Sequence, residues 1–311
     1  MPLRTDERFI LAKLETTAGT MISLAGSDAV NNIVSITPPT LVQEQKERPV
    51  IRNFTGSFKT IPTNEHAQIS FTCELVASGT QGTEPDVDIL LKACGMKRND
   101  TSTTNTYTPE DNLATADTIT IAFYEENNCF KMFGCRGTFD ISMQTSEVIQ
   151  ITFTFKGLYH PVFQDSNTPT PTYSEKSPIV ANSTNTTPIQ VHSYQGAIQN
   201  FTFNLENKYD YYELAGGTKE VRINYRRPKG SITMESPAIN DKNYYLIAQN
   251  ASTGNVTWQN GQTNGAKITF LASTCQFLAP NLEGNDGYSE SSFDYTPLPS
   301  SGNDEFSLLF H

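Results

Sequence analysis

Long apolar runs are missing from this chain of 311 residues. No stretch reaches 18 consecutive apolar residues, so no membrane-spanning helix is expected. The opening MPLRTDERFILAKLETTAG is broken by charges and lacks the apolar core of a signal peptide. Cations are scarce. Lys plus Arg number 22 against 33 Asp plus Glu, a formal net charge of -11. That balance excludes the basic footprint of a protein that grips nucleic acid. It still suits one that lets nucleic acid pass, because an acidic surface repels phosphates.

Chemistry-bearing motifs are missing too. The four histidines, His66, His160, His192 and His311, are scattered and fit no metal-ligand spacing. The five cysteines, Cys73, Cys94, Cys129, Cys135 and Cys275, are odd in number and read as reduced core thiols. There is neither a Gly-Lys-Ser/Thr phosphate loop nor a Gly-x-Ser-x-Gly elbow. No catalytic, cofactor-binding or metal-binding residue is assigned, and the chain is not expected to be an enzyme. The loop NLEGNDGYSESSFD (Asn281–Asp294) is acidic but lacks EF-hand spacing, and reads as solvated. Trp258, the one tryptophan, would suit a sugar-stacking loop in an adhesin or carbohydrate-binding module. A partly buried strand-end aromatic is the more ordinary account.

What the chain does have is alternation. Thr, Ser, Asn and Gln abound, with Gly 19 and Pro 17, a composition of strands and turns. In HAQISFTCELVAS, Ala67, Ile69, Phe71, Cys73 and Leu75 share one face, and Gln68, Ser70, Thr72 and Glu74 the other. VIRNFTGSFKT (50–60) is expected to pair with it. Around the turn QTSE, Thr138, Asp140, Ser142 and Gln144 on one strand match Gln150, Thr152 and Thr154 on the next. KEVRINYRRPKGSITMES is expected to form another hairpin, turning at RRPKG, with Glu220, Arg222, Asn224, Thr233 and Glu235 on its polar face. Alternation alone leaves two arrangements open. Either the polar faces only meet water, the commoner case, or hairpins of several copies close into a barrel with a hydrophilic inside.

One stretch breaks the pattern. EPDVDILLKACGM reads as a single short helix of roughly ten residues, with Pro85 at its first position and Gly95 past its end. Val87, Leu90, Leu91 and Cys94 form its apolar stripe. Residues 1–30 read as an arm or a first strand with loose ends. Residues 31–163 read as one β domain, 164–190 as a Pro/Thr/Ser/Asn-rich linker, and 191–311 as a second β domain. KTIPTNEHAQISFTCEL aligns loosely with RINYRRPKGSITMES, and TPPTLVQEQKER with NKYDYYELAGGT, a repeat of pattern rather than of residues.

The run TGSFKTIPTNEHAQISFTCELVASGTQGTEPDVDILLKACGM resembles the first-half signature of phage tail tube proteins. FGCRGTFDISMQTSEVIQITFTFKGLY and the ending DGYSESSFDYTPLPSSGNDEFSLLFH are similar to that family's closing hairpin and C-terminal strands. The resemblance implies a mainly β, tail-tube-type sandwich or barrel domain with one short flanking helix, duplicated in the chain. It implies a virion protein, made in the host cytoplasm, whose stacked rings form a conduit for DNA ejection. Rings of three two-domain chains are expected, with six chains as the other possibility. Partners would be further copies, the tail terminator, tape measure and distal tail proteins, and DNA only in passage. The polar-face residues named above would then face the lumen. A tube of a contractile secretion system is the nearest alternative.

Overall fold

The computed structural model describes residues 7–53 and 55–311. It is mainly β, with two short helices. The first half contains β1 (Arg8–Leu14), β2 (Ile33–Lys46) and β3 (Ile61–Glu74). Helix α1 (Asp88–Ala93), β4 (Met96–Asp100), β5 (Asn105–Pro109) and β6 (Ile119–Glu125) follow. It closes with β7 (Asn128–Gln144), β8 (Gln150–Tyr159) and the two-residue β9 (Phe163–Gln164). The second half contains β10 (Thr186–Val191), β11 (Ile198–Asn204), β12 (Asn207–Glu213), β13 (Lys219–Arg226) and β14 (Lys229–Glu235). After α2 (Tyr244–Gln249) come β15 (Thr253–Asn260), β16 (Ile268–Phe277), β17 (Asn281–Asn285), β18 (Tyr288–Pro297) and β19 (Ser307–Phe310).

Antiparallel pairing runs β2-β3-β8-β7-β11-β14-β18-β17, one sheet of eight strands drawn from both halves. Its middle is the pairing of β7 with β11, which sets Asn204 against Asp140, Phe203 against Ile141 and Phe201 against Met143. β7 serves two sheets. Its first part pairs with β6 and its second with β8. It changes over at the bulge between Phe133 and Arg136, where Gly134 takes a φ of 59°. In the second half this work is divided: β16 pairs with β15, and β17 pairs with β18.

Alternation makes the sheet one-sided. Phe71, Phe139, Phe153, Phe155, Phe201 and Phe203 are all buried, together with Trp258 and Phe270 from β15 and β16. Ring contacts link Phe71 to Phe153, Phe153 to Phe139, Phe139 to Phe203 at 6.1 Å, and Phe203 to Phe270 at 5.0 Å. The halves therefore share one core. Each fully buried ring of this size contributes about 1.5–3 kcal/mol.

Several expectations change. The partner of β3 is β2, not 50–60; the residues of 50–60 that are described (54 is not) are not strand. Much of β2 lies in the run TPPTLVQEQKER, whose prolines and charges hid it. KEVRINYRRPKGSITMES does not turn at RRPKG. β13 pairs with β12 in a separate two-stranded sheet, and the chain only bends at Arg227–Pro228 before entering β14. Proline has no N–H for a ladder, so a bend falls there. Thus β11, β12, β13 and β14 form one long hairpin, folded over at Glu206 and Pro228. Residues 8–14 of the expected arm are a core strand, with Ile10 and Leu11 buried and β6 as partner; residues 1–6 lie outside the described residues. The Pro-rich stretch is irregular from 165 to 185, but β10 begins inside its expected end.

The helix at 88–93 is shorter than expected, because Pro85 opens a turn ahead of it. Gly95 ends it at φ 77°. Val87, Leu90, Leu91 and Cys94 all enter the core. A second helix, α2, stands between β14 and β15 and had no clear sequence signal. Leu90→Ala is expected to cost about 2–5 kcal/mol, and Leu90→Asp to unfold the first half. Chemical denaturation followed by near-UV circular dichroism checks both.

Candidate functional site

The face of the eight-stranded sheet turned away from the core is mostly polar, with Val42 and Leu158 beside His66 as apolar members at one end. Gln68, Ser70, Thr72 and Glu74 lie on it from β3, and Gln150, Thr152 and Thr154 from β8. Thr138, Asp140, Ser142 and Gln144 come from β7, and Thr233 and Glu235 from β14. Those thirteen predicted residues are brought together. Glu220, Arg222 and Asn224 are not: they lie on β13, in the two-stranded sheet. Sequence reasoning missed Asn200, Thr202 and Asn204 on β11, Ser231 on β14, and Glu290, Ser292 and Asp294 on β18. Their signal was present, since Phe201, Phe203, Phe293 and Tyr295 alternate with them.

Hydroxyls on this face bond one another across strands. Ser70 meets Thr154 at 3.0 Å, Thr72 meets Thr152 at 2.9 Å, and Thr202 meets Ser231 at 2.8 Å. Thr233 donates to Ser292 at 3.3 Å. Bonds of this kind stiffen the sheet and satisfy its hydroxyls within the chain. Carboxylates dominate the charge: Glu74, Asp140, Glu235, Glu283, Glu290 and Asp294, with Glu235 opposite Glu290 and Glu290 opposite Glu283.

Among the described residues the open cations on the face, Lys156 and Lys229, are both engaged, and Arg136, in the same phase of β7, is covered. Lys156 donates to the Tyr209 carbonyl at 3.1 Å and lies 4.9 Å from that ring's centroid. Lys229 pairs with Glu206 at 2.9 Å.

At one end the β12–β13 hairpin lies over the face, and two side chains fasten it. The buried Arg136 guanidinium donates to the carbonyls of Ala116 at 2.6 Å and Val221 at 3.0 Å. Asn207 Nδ2 donates to the carbonyls of Cys94 at 2.7 Å and Gly137 at 2.9 Å. Gly137 admits no side chain, since a Cβ there would stand 2.2 Å from the Thr154 carbonyl oxygen. The Arg-Gly-Thr segment of the sequence is thus a clamp and a close strand contact.

Burial pushes the Cys73 and Cys275 thiols up to about 12, and Cys94 and Cys135 well above their ordinary value. His66 stacks on Tyr211 at 5.2 Å rather than facing a thiol. Trp258 is 0% exposed and packs on Phe201 and Phe270, so it is a core residue and offers no sugar platform. The groove beside the β7–β11 joint, about 610 Å³, is lined by Gln144, Thr145 and Ile198, with Glu235 and Glu290 as its titratable groups. Among the described residues no three His, Cys, Asp or Glu side chains converge as a metal site, and no helix is long and apolar enough to cross a membrane.

The family profile described as phage tail tube protein matches residues 5–297, nearly the whole chain. The chain belongs to the phage tail tube protein family. No curated protein matches it. Membership implies a structural component of the phage tail that assembles with copies of itself, and it sets the mainly β fold in context. In this tube protein the conspicuous surface is the polar face just described.

Desolvation, and then repulsion from Glu206, raises the Asp140 carboxyl above its ordinary 3.8, with Lys229 opposing. Ionising it therefore costs more in the fold than in the unfolded chain. The stability it contributes is full below pH 3.8 and is lost as pH rises through the folded value. Asp140→Asn is expected to raise the melting temperature at neutral pH, with the gain vanishing in acid. Thermal melts across pH check the sign.

Proposed function

We propose that this chain is the subunit of a phage tail tube, forming stacked rings of three chains whose eight-stranded sheets join into the wall of a channel for DNA. The observation that carries this reading is the polar face, whose cations among the described residues, Lys156, Lys229 and the covered Arg136, are already bound within the chain. DNA carries one negative charge per roughly 1.7 Å of its length, so free lysines along a channel would hold it. Bonded hydroxyls and surplus carboxylates let it slide.

A ring of three is supported by the order of strand pairing. In the first half the path is β2-β3-β8-β7-β6-β1, and in the second β11-β14-β18-β17 with β16, β15 and β10 continuing it. The helices fall at matching places, α1 after β3 and α2 after β14. Each half is one tube-type domain, so each chain fills two positions of a six-fold wall. The chain acts by shape and charge, without catalysis, and its address is the virion tail.

Thr152→Lys with Thr154→Lys tests the wall. Tubes should still assemble, since both side chains lie on the polar face. DNA ejection should slow several-fold at low salt and recover as salt rises, because screening weakens phosphate contacts. Ejection kinetics unchanged in assembled double-lysine particles would count against a channel-lining face.

A further inference from the structure

The two ends of the eight-stranded sheet are open. Among the described residues β2 pairs only with β3, and β17 only with β18. We propose that β17 of one copy pairs with β2 of the next, in the register by which β7 pairs with β11 inside the chain. This rests on the tube reading above and names the contact that closes its ring.

The equivalence of these edges is fixed by register. β2 meets β3 with a bulge between Ile33 and Ser35, opposite Cys73 and Thr72. β11 meets β14 with a bulge between Ile198 and Asn200, opposite Met234 and Thr233. Aligning the bulges puts Ile36 with Phe201 and Thr37 with Thr202. The next strands agree: Phe71 faces Phe153 as Ile232 faces Phe293. Across β8 and β18 the alignment then puts Ile141 with Leu282 and Ser142 with Glu283. The internal joint sets Thr202 against Ser142. The joint between copies therefore sets Thr37 against Glu283 and Ile36 against Gly284.

Exposure supports a second copy as the occupant. Ile141 is 1% exposed beneath the internal joint, whereas its equivalent Leu282 is 57% exposed. Beside Ile36, Val34 is 52% exposed. The strand that would cover each is the other's.

The outer joint is also the weaker one. Gly284 stands where the internal joint has Met143, and Pro38 and Pro39 fall where it has Phe203. Prolines and a glutamate on open edges discourage indiscriminate strand pairing. The contact thus holds only when a whole ring supports it, and single chains stay apart until then.

A disulfide scan on concentrated full-length protein tests the register. Thr37→Cys with Glu283→Cys probes the outer joint, and Thr202→Cys with Ser142→Cys is the same pair inside the chain. The five native cysteines are buried and do not compete. Mild oxidation should link the control pair within one chain and the outer pair between chains, giving covalent dimers and closed trimers on a non-reducing gel. Thr37→Cys with Asn281→Cys, two residues out of register, should link at least about tenfold less, since a bridge needs Cα atoms within about 7 Å. Rings or tubes seen by negative-stain microscopy with the control linked but the outer pair unlinked overturn this joint and leave the tube reading in place. No rings, no tubes and no link at any concentration overturn both.

Discussion

Five residue pairs between β7 and β11 hold the architecture together. They join two sheets that would each end in an open edge, and they do so in one phase. Side chains alternate along a strand with a period of two, so a slip of one residue would turn Phe201 and Phe203 out and Thr202 and Asn204 in. The aromatic chain from Phe71 to Phe270 runs under this pairing and depends on that phase. So does the polar face above it. Core and polar face are two sides of one constraint.

The polar face is satisfied internally rather than lacking polar groups. Hydroxyls pair across strands, and both lysines are turned to partners on the folded hairpin or its hinge, Tyr209 and Glu206. Arg136 and Asn207 matter here although neither faces the open surface. By holding β12–β13 down they keep Tyr209 over Lys156 and cover that end of the sheet. Tube geometry and surface chemistry meet at these few backbone-directed bonds.

Much of this was legible in the residues. Where strands are buried on one side only, as β3, β7 and β8 are, alternation named their faces correctly, from the buried Ile69, Phe71 and Cys73 to the polar Thr152 and Thr154. The helix stripe was legible for the same reason, since Val87, Leu90, Leu91 and Cys94 share one face. β2 was not, because an edge strand exposed along most of its length shows little alternation and carries Pro38 and Pro39. The β13–β14 reading failed because Pro228 and Gly230 look like a turn, while the chain needs them for a bend and for close approach to the Thr202 carbonyl. Which strands meet across 50 or more residues, such as β7 with β11, is set by tertiary packing and leaves no local mark.

The folded β12–β13 hairpin has a consequence for how the protein is made. Its bed is formed mainly by β7, β8 and the turn at Leu113–Thr115 of the first half, and Arg226 on β13 also pairs with Glu305 near the end of the chain. On a ribosome most of the bed emerges before the hairpin, and the Arg226–Glu305 pair closes last. During that interval β7 presents an uncovered edge with Met143 and Ile141, which β11 conceals a few seconds of synthesis later, at roughly 5–20 residues per second. The order of the two halves along the chain thus sets how briefly an adhesive edge is left open during synthesis.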